Sequence, residues 1–169
     1  MFASRKTALV TGISRGIGKA ICEDLVKEGY FVHGTYNTGE EEAREVKKSL
    51  KHVEIYQADF RYRDQVLELV ENLNGVELDA IVNNAGMFGG EDFEDFDFAV
   101  WDDTLAVNLT APLLISIKLQ KNLKDGGAIV NISSTDGYIG SFGSISYAAS
   151  KAALMNVTES LANNFAKRA

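Results

Sequence analysis

The 169-residue chain falls in the range of roughly 100–200 residues expected for one domain, and its 46% hydrophobic and 24% charged residues exclude disordered, collagen-like and low-complexity chains. A formal charge of −7 and a pI near 4.9 argue against general nucleic-acid or anionic-membrane binding, both of which need basic faces. Cys22 is the only cysteine, so no intramolecular disulfide or thiolate metal cluster can form, the expected compartment is the cytoplasm, and Met1–Lys6 reads as neither a secretory signal nor a membrane span.

Apolar runs rich in β-branched residues alternate five times with amphipathic stretches of helical length, the pattern of a parallel sheet flanked by helices, an α/β fold. In chain order, strands are expected at Lys6–Val10, Tyr30–Tyr36, Val53–Ala58, Leu78–Asn83 and Ala128–Ile132. Helices are expected at Gly16–Glu28, Glu40–Leu50, Arg61–Leu73, Trp101–Lys121 and Tyr147–Lys167. No linker, repeat or composition shift divides residues 1–169. Pro112, the only proline, falls inside a helical stretch. Its missing N–H and its ring should loosen the preceding turn and free backbone groups near Asn108. The acidic, aromatic run Glu91–Phe98 reads as a solvated loop anchored by phenylalanines, with a substrate-facing lid as the sharper alternative.

Directly after the first strand, Thr11-Gly12-Ile13-Ser14-Arg15-Gly16-Ile17-Gly18 opens a helix. Its glycines suit a tight turn, close backbone approach to a pyrophosphate and close packing of helix on strand, and the helix start offers unpaired N–H groups to phosphates. The spacing is G-x-x-x-G-x-G. Near the other end, Tyr147 and Lys151 stand at i and i+4, on one face of a helix, where an ammonium favours the phenolate and readies the tyrosine for proton transfer. The pair means little alone. Yet Ser134 lies thirteen residues before Tyr147, after the fifth strand and across a glycine-rich loop, and Asn83-Asn84-Ala85-Gly86 ends the fourth strand. Strand ends are where open α/β sheets bind ligands.

On these motifs the chain resembles the short-chain dehydrogenase/reductase family from Thr7 onward, and Ile129–Leu154 looks most like bacterial 3-oxoacyl-(acyl carrier protein) reductases. The resemblance implies a Rossmann-type doubly wound sheet in the order 3-2-1-4-5 and an NADP-dependent oxidoreductase that reduces a ketone, such as a 3-oxoacyl thioester, to a secondary alcohol. In it Tyr147 is the proton donor, Lys151 holds the nicotinamide ribose and lowers the tyrosine pKa, Ser134 hydrogen-bonds the substrate oxygen, and Asn108 holds a water that relays the proton. Gly12, Ser14, Arg15, Gly16, Ile17 and Gly18, with Tyr36, Asn37, Asp59, Phe60, Asn83, Ala85, Gly86, Tyr147 and Lys151, are the expected cofactor-binding residues.

NADP is favoured over NAD because Tyr36 and Asn37 stand where an NAD-selecting carboxylate would be, and Arg15 is placed to meet a 2′-phosphate. Asp59 resembles the family's adenine-binding aspartate, and a cap for the following helix is an equally open reading. His33 and His52 read as structural or exposed, and no metal is expected. Lys118, Lys121 and Lys124 at helical spacing read as a solvated face, or as a docking patch for an acidic carrier protein.

Family members continue past the last helix into further strands and a substrate-covering segment. Much of the substrate wall is therefore expected outside residues 1–169. A protein ending at Ala169 would be expected to bind NADP weakly, reduce ketones poorly and self-associate through an unpartnered fifth strand and the helices Trp101–Lys121 and Tyr147–Lys167, which form a dimer seam in relatives. The expected partners are a small carbonyl or acyl thioester substrate and further copies of the chain, a homo-oligomer (dimer or tetramer), with no nucleic acid and no membrane. The alternative is a non-catalytic dinucleotide-binding or interaction module; the complete Ser134, Tyr147, Lys151 set favours the reductase.

Overall fold

The structure, a computed structural model, describes residues 5–166. Its elements run β1 (Thr7–Val10), α1 (Gly16–Lys27), β2 (Phe31–Tyr36), α2 (Glu40–Ser49), β3 (Val53–Gln57), α3 (Arg63–Asn72), β4 (Leu78–Asn83), α4 (Phe98–Leu105), α5 (Ala111–Leu119), β5 (Leu123–Asn131), α6 (Asp136–Ile139) and α7 (Ile145–Phe165). All strand pairings are parallel and the order is β3-β2-β1-β4-β5, as the sequence implied.

Parallel sheets need both faces covered because their crossovers are helices, and the core divides accordingly. On one face Leu9, Ile81 and Leu78 pack against Val66 and Leu69 of α3 and Ile115 and Leu119 of α5. On the other, Val10, Val32, Val53 and Val82 pack against Cys22 of α1 and Val46 of α2. Leu9 and Val10 are adjacent in sequence and face opposite layers, as the two-residue period of a strand requires. Burial pushes the Cys22 thiol up to about 11. His33 is structural: its Nδ1 lies 2.9 Å from the Tyr56 hydroxyl, its ring sits between Phe31 and Tyr56, and burial lowers its pKa.

Four element starts depart from the sequence reading by two residues or more. The helix expected at Trp101–Lys121 starts at Phe98, where the Asp97 carboxylate accepts the Ala99 N–H at 2.8 Å. It then passes through a π-helical turn at Ala106–Thr110 and ends in a 3-10 turn at Gln120–Asn122. Pro112 explains the π-turn, because without an N–H it cannot bond the Asn108 carbonyl and the ladder re-registers around it. The fifth strand starts at Leu123 and not Ala128, since Leu123 pairs with Leu78 before an irregularity within the strand, with Gly126 at φ +78°, shifts the register and pairing resumes at Ala128 with Ala80.

The third helix starts at Arg63, after a turn organised by Asp59. The last helix starts two residues early, at Ile145, and its expected end at Lys167 lies outside the described residues. The loop before it holds a short helix, α6, that the glycines at 137 and 140 concealed. The lysine row does not persist either. Lys124 leaves the helix for β5, where its Nζ bonds Asp79 at 3.0 Å, so it is not aligned with Lys118 and Lys121.

Candidate active site

The chain winds outward through β1, β2 and β3 and returns to begin β4 on the other side of β1, so the strand order reverses between β1 and β4. A crevice opens at their carboxyl ends. There the last polar groups of two neighbouring strands have no ladder partners and must find others. Thr11 supplies them: its Oγ1, buried, accepts the backbone N–H groups of Asn84 and Ala85, both at 2.9 Å. Asn84 returns the exchange, its Nδ2 donating to the carbonyls of Thr11 at 2.9 Å and Gly12 at 3.2 Å. The Thr35 hydroxyl and carbonyl of β2 then take the N–H groups of Gly12 and Ile13.

The glycine loop follows from this frame. Gly12 has φ +75°, a left-handed turn, and a Cβ on Gly18 would lie 2.1 Å from the Gly12 carbonyl oxygen, so only a glycine lets α1 approach β1 so closely. Gly16 opens α1 at φ +59° with nothing near its missing side chain, and Arg15 before it caps no helix N–H with its own side chain. The uncapped first turn of α1 therefore faces a cleft of about 870 Å³ that runs across the sheet end. This cradle fits a dinucleotide's phosphates on geometry alone: a glycine bend, open amides and a helix dipole directed at one point.

Gly12, Ser14, Arg15, Gly16 and Ile17 line the cleft, as do Tyr36, Asn37, Asp59, Phe60, Ala85 and Gly86 further along. Tyr147 and Lys151 line its other end. Gly18, Asn83, Asn108 and Ser134 do not. Gly18 is a packing residue, as described. The Asn83 side chain turns inward, donating to the Ser116 hydroxyl (3.2 Å) and Asn131 Oδ1 (2.8 Å), and the cleft lining takes its neighbour Asn84. Which of two adjacent asparagines faces a strand end depends on the pleat.

Asp59 both lines the cleft and makes a turn. Its carboxylate accepts the Arg61 N–H at 3.1 Å and pairs with the Arg61 guanidinium at 2.5 Å, which holds the carboxyl below its ordinary range, with a lesser contribution from the Asn37 side chain. It is the sole carboxylate lining the cleft among the described residues. Arg15 at the rim is exposed and makes no ion pair among them.

At the far end, Lys151 is buried at 4% exposure, and its Nζ donates to the Ile132 carbonyl at 2.8 Å and lies 5.6 Å from the centre of the Tyr147 ring. Burial lowers its pKa. Phe88 meets Tyr147 edge-on at 5.1 Å. Asn108, fully buried in the π-turn, has its amide consumed: Oδ1 accepts the Met87 N–H at 2.8 Å, and Nδ2 donates to the Met87 carbonyl at 2.8 Å and the Ser150 hydroxyl at 3.1 Å. It thereby ties the segment after β4 to α7, with both Nδ2 hydrogens spent. Ser134 Oγ accepts the Asp136 N–H at 3.2 Å, and the cleft lining takes its neighbour Ser133. Among the described residues no group of three His, Cys, Asp or Glu side chains gathers to hold a metal ion.

A glycine-bent helix start at the reversal of a parallel sheet, with a buried lysine beside a tyrosine across the same cleft, is the build of a Rossmann-type dinucleotide oxidoreductase. The family model for short chain dehydrogenases matches residues 6–169, and the chain belongs to the short-chain dehydrogenase/reductase family. The 3-oxoacyl-(acyl-carrier-protein) reductase FabG of Aquifex aeolicus (strain VF5) is 36% identical over 174 residues, covering 96% of this chain and 69% of that protein. A Burkholderia cenocepacia J2315 short chain dehydrogenase solved in complex with NADP superposes with a TM-score of 0.90 at 36% identity, covering 96% of this chain and 69% of that one. A blue fluorescent protein from a metagenomic library, in complex with NADPH, has a TM-score of 0.90 at 33% identity, covering 96% and 70%.

Two outcomes follow from the frame. Thr11→Ala removes the acceptor of two half-buried N–H groups and should cost about 1 kcal/mol or more in chemical denaturation, whereas Thr11→Ser keeps the acceptor and should cost clearly less. For Asp59, the native state binds the carboxyl proton less readily than the unfolded chain, so its contribution to stability is complete above about pH 5 and is lost as the pH falls through the unfolded value near about 3.9 and then the lower folded one. Asp59→Asn should flatten that acid limb in urea midpoints measured across the range.

Proposed function

We propose that the protein is an NADP-dependent reductase of ketones, with a 3-oxoacyl thioester or a similar carbonyl as substrate. The single observation that carries the reading is the cleft itself, which joins an uncapped phosphate cradle at one end to the Tyr147 and Lys151 pair at the other. The preference for NADP rests on charge. Arg15 stands unpaired at the rim, Asn37 occupies the end of β2, and Asp59 is neutralised by Arg61, so nothing near the adenosine end repels a 2′-phosphate. The NADP and NADPH bound in relatives of the same fold support it.

The first turn of α1 and Lys151 would hold reduced NADP, which would supply the hydride. Tyr147 gives its phenolic proton to the ketone oxygen, and Lys151 stabilises the phenolate left behind. The Lys151 ammonium is fixed by the Ile132 carbonyl, which leaves its remaining hydrogens for the ribose and the tyrosine side of the cleft. Ser134 spends only a lone pair on Asp136, so its O–H is free to donate to the oxygen on which negative charge develops. Asn108 contributes through its backbone: with the amide engaged on Met87 and Ser150, the carbonyl that Pro112 cannot bond is the group left to hold a relay water.

The same reading includes a homo-oligomer in the cytoplasm. The helical stretch Phe98–Asn122 contains an 18-residue window of mean hydropathy 1.2 of which only 28% is buried within the chain, and Ile117 is 44% exposed. A second copy packed on α4, α5 and α7 would cover such a face, and a single buried thiol suits a reducing compartment.

Tyr147→Phe should lower ketone reduction by roughly 10²–10⁴-fold while NADPH affinity, read by fluorescence titration, stays within about two-fold. Turnover at the parental rate would remove Tyr147 from the mechanism. NADPH should bind more tightly than NADH by about one to two decades, and Arg15→Ala should erase most of that gap. Equal titration curves for the two cofactors on the unmutated protein would contradict the assignment.

A further inference from the structure

The helix that carries Tyr147 and Lys151 does not cap itself. Ser144 at its start makes no side-chain capping bond, and the Ser144 and Ser146 hydroxyls are buried without hydrogen-bond partners among the described residues. The free N–H groups of the first turn are taken by Glu91, from the acidic run after β4. Its Oε2 accepts the Ile145 N–H at 2.6 Å and its Oε1 the Ser146 N–H at 3.0 Å, while its own N–H donates to the Gly143 carbonyl at 3.0 Å. Both carboxylate oxygens are committed to the first turn of the helix and the backbone to the residue before its cap. A carboxylate there is also favoured by the helix dipole.

Glu91 ends the segment that starts at Asn84 and forms the wall of the cleft with Gly86, Met87 and Phe88. That segment is tied to α7 at two points. Asn108 bridges Met87 to Ser150 inside the protein, and Glu91 grips Ile145 and Ser146 at its surface. Between the two ties Phe88 meets Tyr147 edge-on. Gly89 lets the segment pass close to α4, since a Cβ there would lie 2.4 Å from Val100 Cγ1. A loop held at one point can pivot, whereas one held at two points cannot.

We propose that Glu91 is a positioning residue: its bidentate grip on the first turn of α7 sets Tyr147 against the cofactor wall at Gly86–Phe88. Its role in the rate rests on the reductase reading above; its role in geometry does not. Removing the grip leaves the cleft's phosphate end intact, so the expected kinetic signature is a loss in kcat with NADPH affinity retained, a split that a general loss of stability would not produce. Small misplacements of a reacting group cost up to about a hundred-fold in rate.

The test compares Glu91→Ala, Glu91→Gln and Glu91→Asp in the full chain. Glu91→Gln keeps the reach and one acceptor oxygen, while Glu91→Asp keeps the charge and loses the reach. In Glu91→Ala, kcat for a simple ketone should fall by about ten- to a hundred-fold, with NADPH affinity within about two-fold by fluorescence titration. Glu91→Gln should recover part of the loss and Glu91→Asp little. Amide hydrogen exchange and the aromatic NOE between Phe88 and Tyr147 read the geometry without turnover: in Glu91→Ala the Ile145 and Ser146 amides should lose protection and the NOE should weaken. Unchanged exchange and NOE, a parental kcat in Glu91→Ala, or rescue by Asp in preference to Gln would overturn the proposal. If the unmutated protein reduces no ketone while exchange and NOE respond as expected, the reductase reading fails and the positioning role stands.

Discussion

The cleft depends on one exchange of hydrogen bonds where the sheet reverses. Thr11 at the end of β1 accepts two amides from the end of β4, and Asn84 at the end of β4 donates to two carbonyls at the end of β1. Backbone groups there lie past the ladder in half-buried surroundings, and this reciprocal pairing satisfies them where both strands end at one level. The rest of the phosphate end is consequence. With Thr11 and Gly12 fixed, the chain must turn left-handed at Gly12, and α1 must start hard against it at Gly18. The site for a dinucleotide is thus built by the protein's own hydrogen bonds and needs no ligand to shape it.

The reactive end is assembled by different means. Lys151 is held by the Ile132 carbonyl of the chain leaving β5, Asn108 by the Met87 backbone and Ser150, and the first turn of α7 by Glu91. Each bond joins parts of the chain that are far apart in sequence, and together they set α7 on the sheet end. The π-turn is part of this assembly: re-registering the helix ahead of Pro112 brings the Asn108 amide between the Met87 loop and α7. A lone proline, which would weaken an ordinary helix, here has a positional use.

Charge is arranged locally against the protein's overall balance. The chain carries −7, yet the cleft meets its ligand with Arg15, Lys151 and a helix N-terminus, and its one carboxylate, Asp59, is neutralised by Arg61. Long-range repulsion of an anionic cofactor is screened over about 10 Å at ordinary salt, so contacts at the rim outweigh the net charge.

Most of the architecture was readable from residue order. Alternating β-branched runs and amphipathic stretches place every strand and every long helix, and the glycine spacing, the Tyr147 and Lys151 pair and the proline within a helix point to the cleft's two ends and to the loosened turn. These are local properties, set by the periods of strand and helix and by what glycine and proline permit. What tertiary structure alone decided was which side chain faces which partner. Asn84 faces the cleft and its neighbour Asn83 the core, Asn108 spends its amide on Met87 and Ser150, Lys124 leaves its helical row for Asp79, and Glu91, in a run that reads as solvated loop, caps a helix 54 residues away. A hydrogen bond between distant residues leaves no period in the sequence, because either partner alone has an ordinary reading as a turn, a cap or a solvated charge.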